Sequence, residues 1–173
     1  RPESLLLYTD EDVINGKGEH SQPKLKPDIN SEFLRSSPYV GAATLIRKSL
    51  MLDPRVAILP LDLARNYGAA LLAIEQTQAA VDHLDEILVH VPETLADEYV
   101  STALANLLVQ QHLARCGIVA ELYDAPLPGT LFVDYKLPIT PPPMVSIMIL
   151  AVDQLHLIQS CLESLLHKTD YPN

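Results

Sequence analysis

The strongest constraint in the chain is Leu5-Leu6-Leu7-Tyr8-Thr9-Asp10-Glu11-Asp12, an apolar run of strand length that ends in three consecutive carboxylates. Side chains alternate along a strand with a period of two, so this run delivers Asp10 and Asp12 to one side. Hard dications such as Mg²⁺ and Mn²⁺ take carboxylate oxygens, and Mg²⁺ is commonly held by one or two carboxylates together with substrate phosphates. Asp10 and Asp12 are therefore the candidate metal ligands. The same residues also fit an acidic turn closing a strand.

The rest of the composition narrows the partners. Twelve basic against twenty-two acidic residues give a net charge of −10. Such a chain has no basic stripe with which to track a phosphate backbone, which argues against nucleic acid. It is equally unsuited to an anionic membrane surface. Its longest apolar stretches fall far short of the roughly 18 residues that span a bilayer. Cys116 and Cys161 sit in apolar, helix-like segments and read as small core residues of a reduced, cytoplasmic protein. Its six histidines (20, 83, 90, 112, 156 and 167) never fall at paired ligand spacing with a cysteine. That pattern gives no support to a zinc site. His90, inside an apolar run, reads as a core or hydrogen-bonded histidine.

Along the chain, residues 13–38 are polar and turn-rich, and read as a functional loop following the carboxylates. Residues 39–46 are of strand type. Apolar positions recurring at three to four residues predict a helix over 61–84 capped by Asp62, with Asp82, Asp85 and Glu86 at its solvated end. Residues 87–91 form a strand stopped by Pro92. A second helix is predicted over 94–116, with Leu95, Tyr99, Ala103, Leu107, Leu108 and Leu113 on one face. Asp97 and Glu98 occupy its first turn and Gly117 ends it. Residues 118–137 alternate around Pro126-Leu127-Pro128-Gly129 as a hairpin. Thr140-Pro141-Pro142-Pro143 is a stiff spacer, and beyond it a buried-type strand over 144–152 leads into a helix over 154–166. Leu157, Cys161, Leu162 and Leu165 face inward on that helix. This is the opening strand-helix unit of an α/β domain with no sheet to join, so the chain reads as cut at both ends, with exposure of that unit leading to oligomers.

These motifs resemble the bacterial family-two glycosyltransferases of the tandem-domain type. Tyr8-Thr9-Asp10-Glu11-Asp12, Lys26-Pro27-Asp28 and Tyr39-Val40-Gly41 resemble the middle of one such domain. His90-Val91-Pro92-Glu93-Thr94-Leu95 resembles the segment near its end. Val145 to Ile149, with Cys161 to Leu166 and Lys168 to Asn173, resembles the start of a second. The resemblance implies a partial GT-A (Rossmann-like) α/β fold. Residues 1–92 would be the later part of a first domain, 93–143 a helix, hairpin and Pro-rich connector, and 144–173 the first unit of a second. It implies that Asp10 and Asp12 bind Mn²⁺ or Mg²⁺ and the diphosphate of a nucleotide sugar. Glu11, Lys26, Asp28 and Asp153 then fall at substrate-binding places. The partners it implies are a nucleotide sugar, a glycan acceptor and neighbouring glycosyltransferase domains. The location is cytoplasmic, with peripheral attachment to the inner membrane as the variant.

Three departures accompany the resemblance. The family helix beginning Asp-Tyr-Asp-Leu-x-Leu-Arg-x-x-Glu, which carries the catalytic base, is matched here by Asn66-Tyr67-Gly68-Ala69-Ala70-Leu71-Leu72-Ala73-Ile74-Glu75, without the two leading acids or the arginine. Where the family continues Tyr-His-Trp-Arg after the Pro-Glu-x-Leu, with a metal-binding His, this chain has Ala96-Asp97-Glu98-Tyr99. Asp97 is there as an oxygen ligand or as a plain acid complementing a helix dipole. Leu150-Ala151 replaces the Pro-Thr of the second domain, and Asp153 is kept. No catalytic residue is assigned. Three functions stay open, two of them tied to transferases: a fragment of a sugar transferase, inactive by itself, and a catalytically degenerate scaffold module linking transferase domains. A self-contained helical interaction domain is the third.

Overall fold

The computed structural model describes residues 3–136, 141, 143–150 and 153–171. In chain order the elements are β1 (Leu6–Ile14), β2 (His20–Lys24), α1 (Ser31–Ser36), β3 (Thr44–Ile46), α2 (Lys48–Met51), α3 (Pro54–Ala57), α4 (Leu63–Ile74), β4 (Val81–Pro92), α5 (Thr102–Cys116), β5 (Ala120–Asp124), β6 (Leu131–Tyr135) and α6 (Leu155–Lys168). The expected mixed α/β class holds. The chain divides into two compact units, residues 1–136 and 137–173.

In the first unit β1 is the central strand. β4 runs parallel along one edge, from Leu6 opposite Val81 to Ile14 opposite Pro92. β3 and β2 share the other edge, both antiparallel, with β3 against residues 6–8 and β2 against residues 11–14. The strand therefore does not stop at the carboxylates, as the sequence predicts, but passes through them. Asn15-Gly16-Lys17-Gly18 then turns it into β2: Asn15 Oδ1 accepts from the backbone N–H of Lys17 and Glu19. The expected loop over 13–38 thus holds a strand, and also helix α1, capped by Asn30.

The core lies between this sheet and α4, where Tyr67 and Ala69, Ala70, Leu71 and Ala73 are buried. Alanines at these positions let the helix approach the sheet closely. Asp62 caps α4 as predicted, accepting from Ala64 N–H at 2.8 Å. The helix ends at Ile74, ten residues short of its predicted end, and Thr77 caps a single 3-10 turn before β4 begins. Val81 and Leu84, with Asp82, Asp85 and Glu86, thus belong to a strand. Helix α5 starts at Thr102 under the Ser101 cap, eight residues later than predicted, and stops at Gly117 in the left-handed conformation, φ +68°. Its buried face is Ala105, Leu108, Val109, His112 and Leu113, while Leu107 and Tyr99 are exposed. Strands β5 and β6 form the predicted antiparallel hairpin, from Ala120 opposite Tyr135 to Asp124 opposite Leu131.

In the second unit α6 forms as predicted but buries none of its described residues. Residues 144–150 take no strand pairing, and Met148 and Leu150 are 97% and 100% exposed. The buried strand expected there is absent among the described residues, since no neighbouring strand satisfies its backbone. Residues 140, 142, 151 and 152 of the predicted spacer and strand lie outside the described residues. Both cysteines are exposed rather than core: Cys116 is the last residue of α5, beyond its packed face, and Cys161 lies on unburied α6.

Candidate functional site

Three consecutive acids in the middle of a strand are all less than 8% exposed. Buried carboxylates need partners, and each of these has its own. The Asp10 carboxylate accepts the Lys26 backbone N–H at 2.9 Å and faces His83 Nε2 at 3.0 Å. The His83 ring bridges Asp10 to Asp28, whose Oδ1 lies 3.2 Å from Nδ1, and stacks on Tyr8 with centroids 4.6 Å apart. The Tyr8 hydroxyl in turn donates to Pro27 O. Burial raises the Tyr8 phenol far above its ordinary range.

Glu11 points elsewhere. It pairs with Lys26 Nζ at 2.9 Å, both side chains being about 95% buried, and it accepts from Ala42 N–H at 3.1 Å. The Lys26 ammonium also donates to Thr9 O at 2.8 Å and Val40 O at 3.0 Å, which uses all three of its protons. Burial still pulls its pKa below the usual lysine value. Gly41, at φ +69°, lies over this pair: a Cβ there would stand 2.7 Å from both Glu11 Oε2 and Lys26 Nζ.

Asp12 carries the third arrangement. His90 Nδ1 donates to its Oδ1 at 2.6 Å and His20 Nδ1 to its Oδ2 at 2.9 Å. The two rings meet edge to face, centroids 4.4 Å apart. Strand register explains the cluster. Asp12 lies opposite His90 on β4, and Ile14, two residues on and on the same face, lies opposite His20 on β2. The hydrogen bond from His90 is the main cause that holds the Asp12 pKa below the usual carboxylate range, with His20 adding to it. In the β1–β4 ladder the register shifts between Thr9 and Asp10 and again between Asp10 and Glu11, so that β4 carries extra residues there. Such bulges re-aim side chains, and they sit where the acids do.

The six residues singled out from sequence thus divide. Asp10 and Asp12 share a strand but hold separate partners: the donor atoms within 4.8 Å of one another around Asp12 are those of His20 and His90. Lys26 and Glu11 are buried against each other. The Asp28 carboxylate is 95% exposed on the rim, in a cleft that also includes Gln78, Val81, His83 and Asp85. Asp153 is exposed in the second unit, with φ +48°, just before α6. Asp97 lies before α5 in an exposed position and lines a different cleft with Asp62, Tyr99 and Ser101. Where the resemblance would place a catalytic base, Asn66 Nδ2 donates to Gly41 O at 3.0 Å, and a Cβ on Gly68 would meet Leu59 Cδ1 at 2.4 Å. Sequence reasoning missed His20 and His83 as partners of the acids, since one lay in an assumed loop and the other in an assumed helix. The usable signal was His90 within an apolar run of strand length stopped by Pro92.

A second carboxylate–imidazole group lies on the helices. His112, 1% exposed, donates from Nδ1 to Glu75 Oε1 at 3.0 Å and accepts from Arg35 Nε at 3.2 Å. Arg115 donates to both Glu75 oxygens. Burial and its cationic neighbours push the His112 pKa down, burial first. Both ring nitrogens are thereby used in packing.

Fold and site together define a mixed α/β protein with a central strand of buried carboxylates, each with its own protein partner. Two curated proteins are similar to this chain. O-antigen biosynthesis protein RfbC of Myxococcus xanthus is 31% identical over 180 aligned positions, covering 100% of this chain and 14% of that protein. Uncharacterized protein y4gI of Sinorhizobium fredii (strain NBRC 101917 / NGR234) is 26% identical over 181 positions, covering 99% of this chain and 20% of that protein. The chain therefore spans a fifth or less of the length of these relatives. No family model matches it, and no solved structure matches it.

Proposed function

We propose that the chain is part of a nucleotide-sugar-dependent glycosyltransferase that adds a sugar to a cell-surface polysaccharide. One observation carries this reading: the whole chain aligns with a protein named for O-antigen biosynthesis. The buried acids on the central strand are in keeping with it. In this reading the sheet belongs to a GT-A fold, and Asp10 and Asp12 serve the donor's cation, Mn²⁺ or Mg²⁺, and its diphosphate. Charge grows on the diphosphate as the sugar bond breaks, and a cation there stabilises it. Asp28 stands on the exposed rim where an acceptor hydroxyl arrives. The Glu11–Lys26 pair fixes the backbone beneath the site, and Asp153 belongs to the second domain's donor site. The partners are a nucleotide sugar, a glycan acceptor and neighbouring transferase domains, which cover the exposed apolar residues of α6, as would a second copy of the chain. The setting is the cytoplasm.

The same residues also support a scaffold reading. Asn66 and Gly68 leave no acid at the place of the family's base, so an inverting transfer needs its base from another segment. Calorimetric titration of Mn²⁺, with and without UDP or GDP, separates the two when run beside Asp10→Asn/Asp12→Asn. Binding that the nucleotide strengthens and the double variant abolishes supports the transferase. Nucleotide-independent behaviour, identical in wild type and variant, supports the scaffold.

A further inference from the structure

The arrangement around Asp12 goes beyond a pair of strand carboxylates. Three adjacent strands each present one donor on the same face: Asp12 from β1, His90 from β4 and His20 from β2. The imidazole Nδ1 atoms stand 2.6 and 2.9 Å from the two oxygens of one carboxylate, and all the donor atoms lie within 4.8 Å of one another. Metal–ligand bonds of about 2.0–2.2 Å place tetrahedral donors roughly 3.3–3.6 Å apart. The two imidazole–carboxylate separations are shorter than that, so an ion requires the rings to turn away from the carboxylate. The His20 and His90 side chains are 47% and 44% exposed while Asp12 is 10% exposed, so the carboxylate is fixed in the sheet and the remaining coordination positions open to solvent. Asp10 is not part of this group, because its carboxylate is held by the Lys26 N–H and His83.

We propose that Asp12, His20 and His90 form a site for a first-row transition-metal dication, selected over Mg²⁺. Two imidazoles suit Zn²⁺, Fe²⁺, Co²⁺ and Ni²⁺, whereas Mg²⁺ prefers an all-oxygen octahedron. The helical group of Glu75, His112 and Cys116 is the internal contrast. There Arg35 and Glu75 take up both ring nitrogens of His112 and Arg115 holds Glu75, so a cation would have to displace two guanidinium contacts. What the ion does for a bound diphosphate rests on the donor-site reading; its binding rests on the three side chains alone.

The test is a Co²⁺ titration of the full chain followed by visible ligand-field absorption, without nucleotide. Expected is a saturable one-to-one band, displaced by stoichiometric Zn²⁺ and resistant to a large excess of Mg²⁺. His20→Gln and His90→Gln should each weaken binding by at least about tenfold, since even outer-shell losses cost that much. Cys116→Ser, in the helical group, should leave the band in place. Imidazole NMR of the unaltered protein supplies a readout that needs no variant: Zn²⁺ should shift the His20 and His90 rings and leave His112 and His156 unmoved. The proposal is overturned by a wild type with no band, by Mg²⁺ competing on equal terms, by affinity unchanged in the histidine variants, or by ring shifts elsewhere. Co²⁺ binding that nucleoside diphosphates do not affect would keep this site and remove the donor reading. Nucleotide binding supported by Mg²⁺ but not Co²⁺ would do the reverse.

Discussion

Gly41 governs more than its own turn. Its φ of +69° lies where side chains with a Cβ are strained, and a Cβ there would press on both members of the buried Glu11–Lys26 pair. Neither can retreat: Lys26 Nζ is tied to Thr9 O and Val40 O, and Glu11 to Ala42 N–H. Gly41→Ala is expected to lower unfolding stability by about 1–3 kcal/mol, read from the urea midpoint, whereas Gly16→Ala, with open space around it and no positive φ, should change it little. Asp53 offers a test by pH. It caps α3 through Arg55 N–H, and the Arg55 guanidinium hydrogen bond is the main cause that lowers its pKa from 3.8 to about 2. A carboxylate held below its unfolded value stabilises the fold above that value and loses the contribution as pH falls through the folded one. Asp53→Ala should therefore cost about 0.5–2 kcal/mol at neutral pH. In paired melts the gap between wild type and variant should be constant above about pH 4 and close near pH 2.

At the scale of elements, His112 joins three helices. Arg35 from α1 donates to its Nε2, so the ring is neutral and its Nδ1–H is free to reach Glu75 at the end of α4. Beyond them lie Glu32 and Tyr135, both bonded to Arg35, and on its own helix Arg115 and Cys116. With the pKa pushed down by burial, the unfolded chain binds the proton more readily. Stability is present above the ordinary histidine range and is lost as pH falls through it. Urea midpoints at pH 7.5 and 5.5 should fall further for wild type than for His112→Gln; equal falls would mean that the ring carries no pH dependence. This link also shows where the sequence stopped being readable. The Asp62 cap, the Gly117 stop and the hairpin around Pro126-Leu127-Pro128-Gly129 are local, set by a side chain or turn within a few residues, and they were legible. The end of α4 was not, because Val81 and Leu84 continue the helical spacing of Leu71 and Ile74 although they belong to β4. The start of α5 was missed because Leu95 and Tyr99 mimic its stripe. His112 sat on the core face of α5 but is polar, so an apolar pattern passed over it.

For the whole first unit, the sheet is ordered by β1, and what β1 holds at its acidic half bears on the stability of everything packed on it. Asp10 and Asp12 were visible in the sequence, whereas the residues around them depend on a parallel pairing across some seventy residues that no local pattern announces. That pairing converts ion binding into a folding term. An ion that binds the Asp12, His20 and His90 group only when β1, β2 and β4 are aligned stabilises the native state by RT ln(1 + [L]/Kd), about 2.7 kcal/mol at a hundred times Kd. For a unit of this size that amounts to a rise in melting temperature of roughly 5–10 °C. The rise should be reversed by EDTA, be absent in Asp12→Asn, and survive in Cys116→Ser, which lies in the other group of donor atoms. Following the melt by both far-ultraviolet circular dichroism and tyrosine fluorescence checks that the whole unit responds, since Tyr8 stacks on His83 within the sheet and Tyr67 lies in the core of α4. A shift seen by one probe alone would mean that the ion orders only the strands that hold it. Equal shifts by both would mean that the three strands and the helix upon them fold as one body around the site.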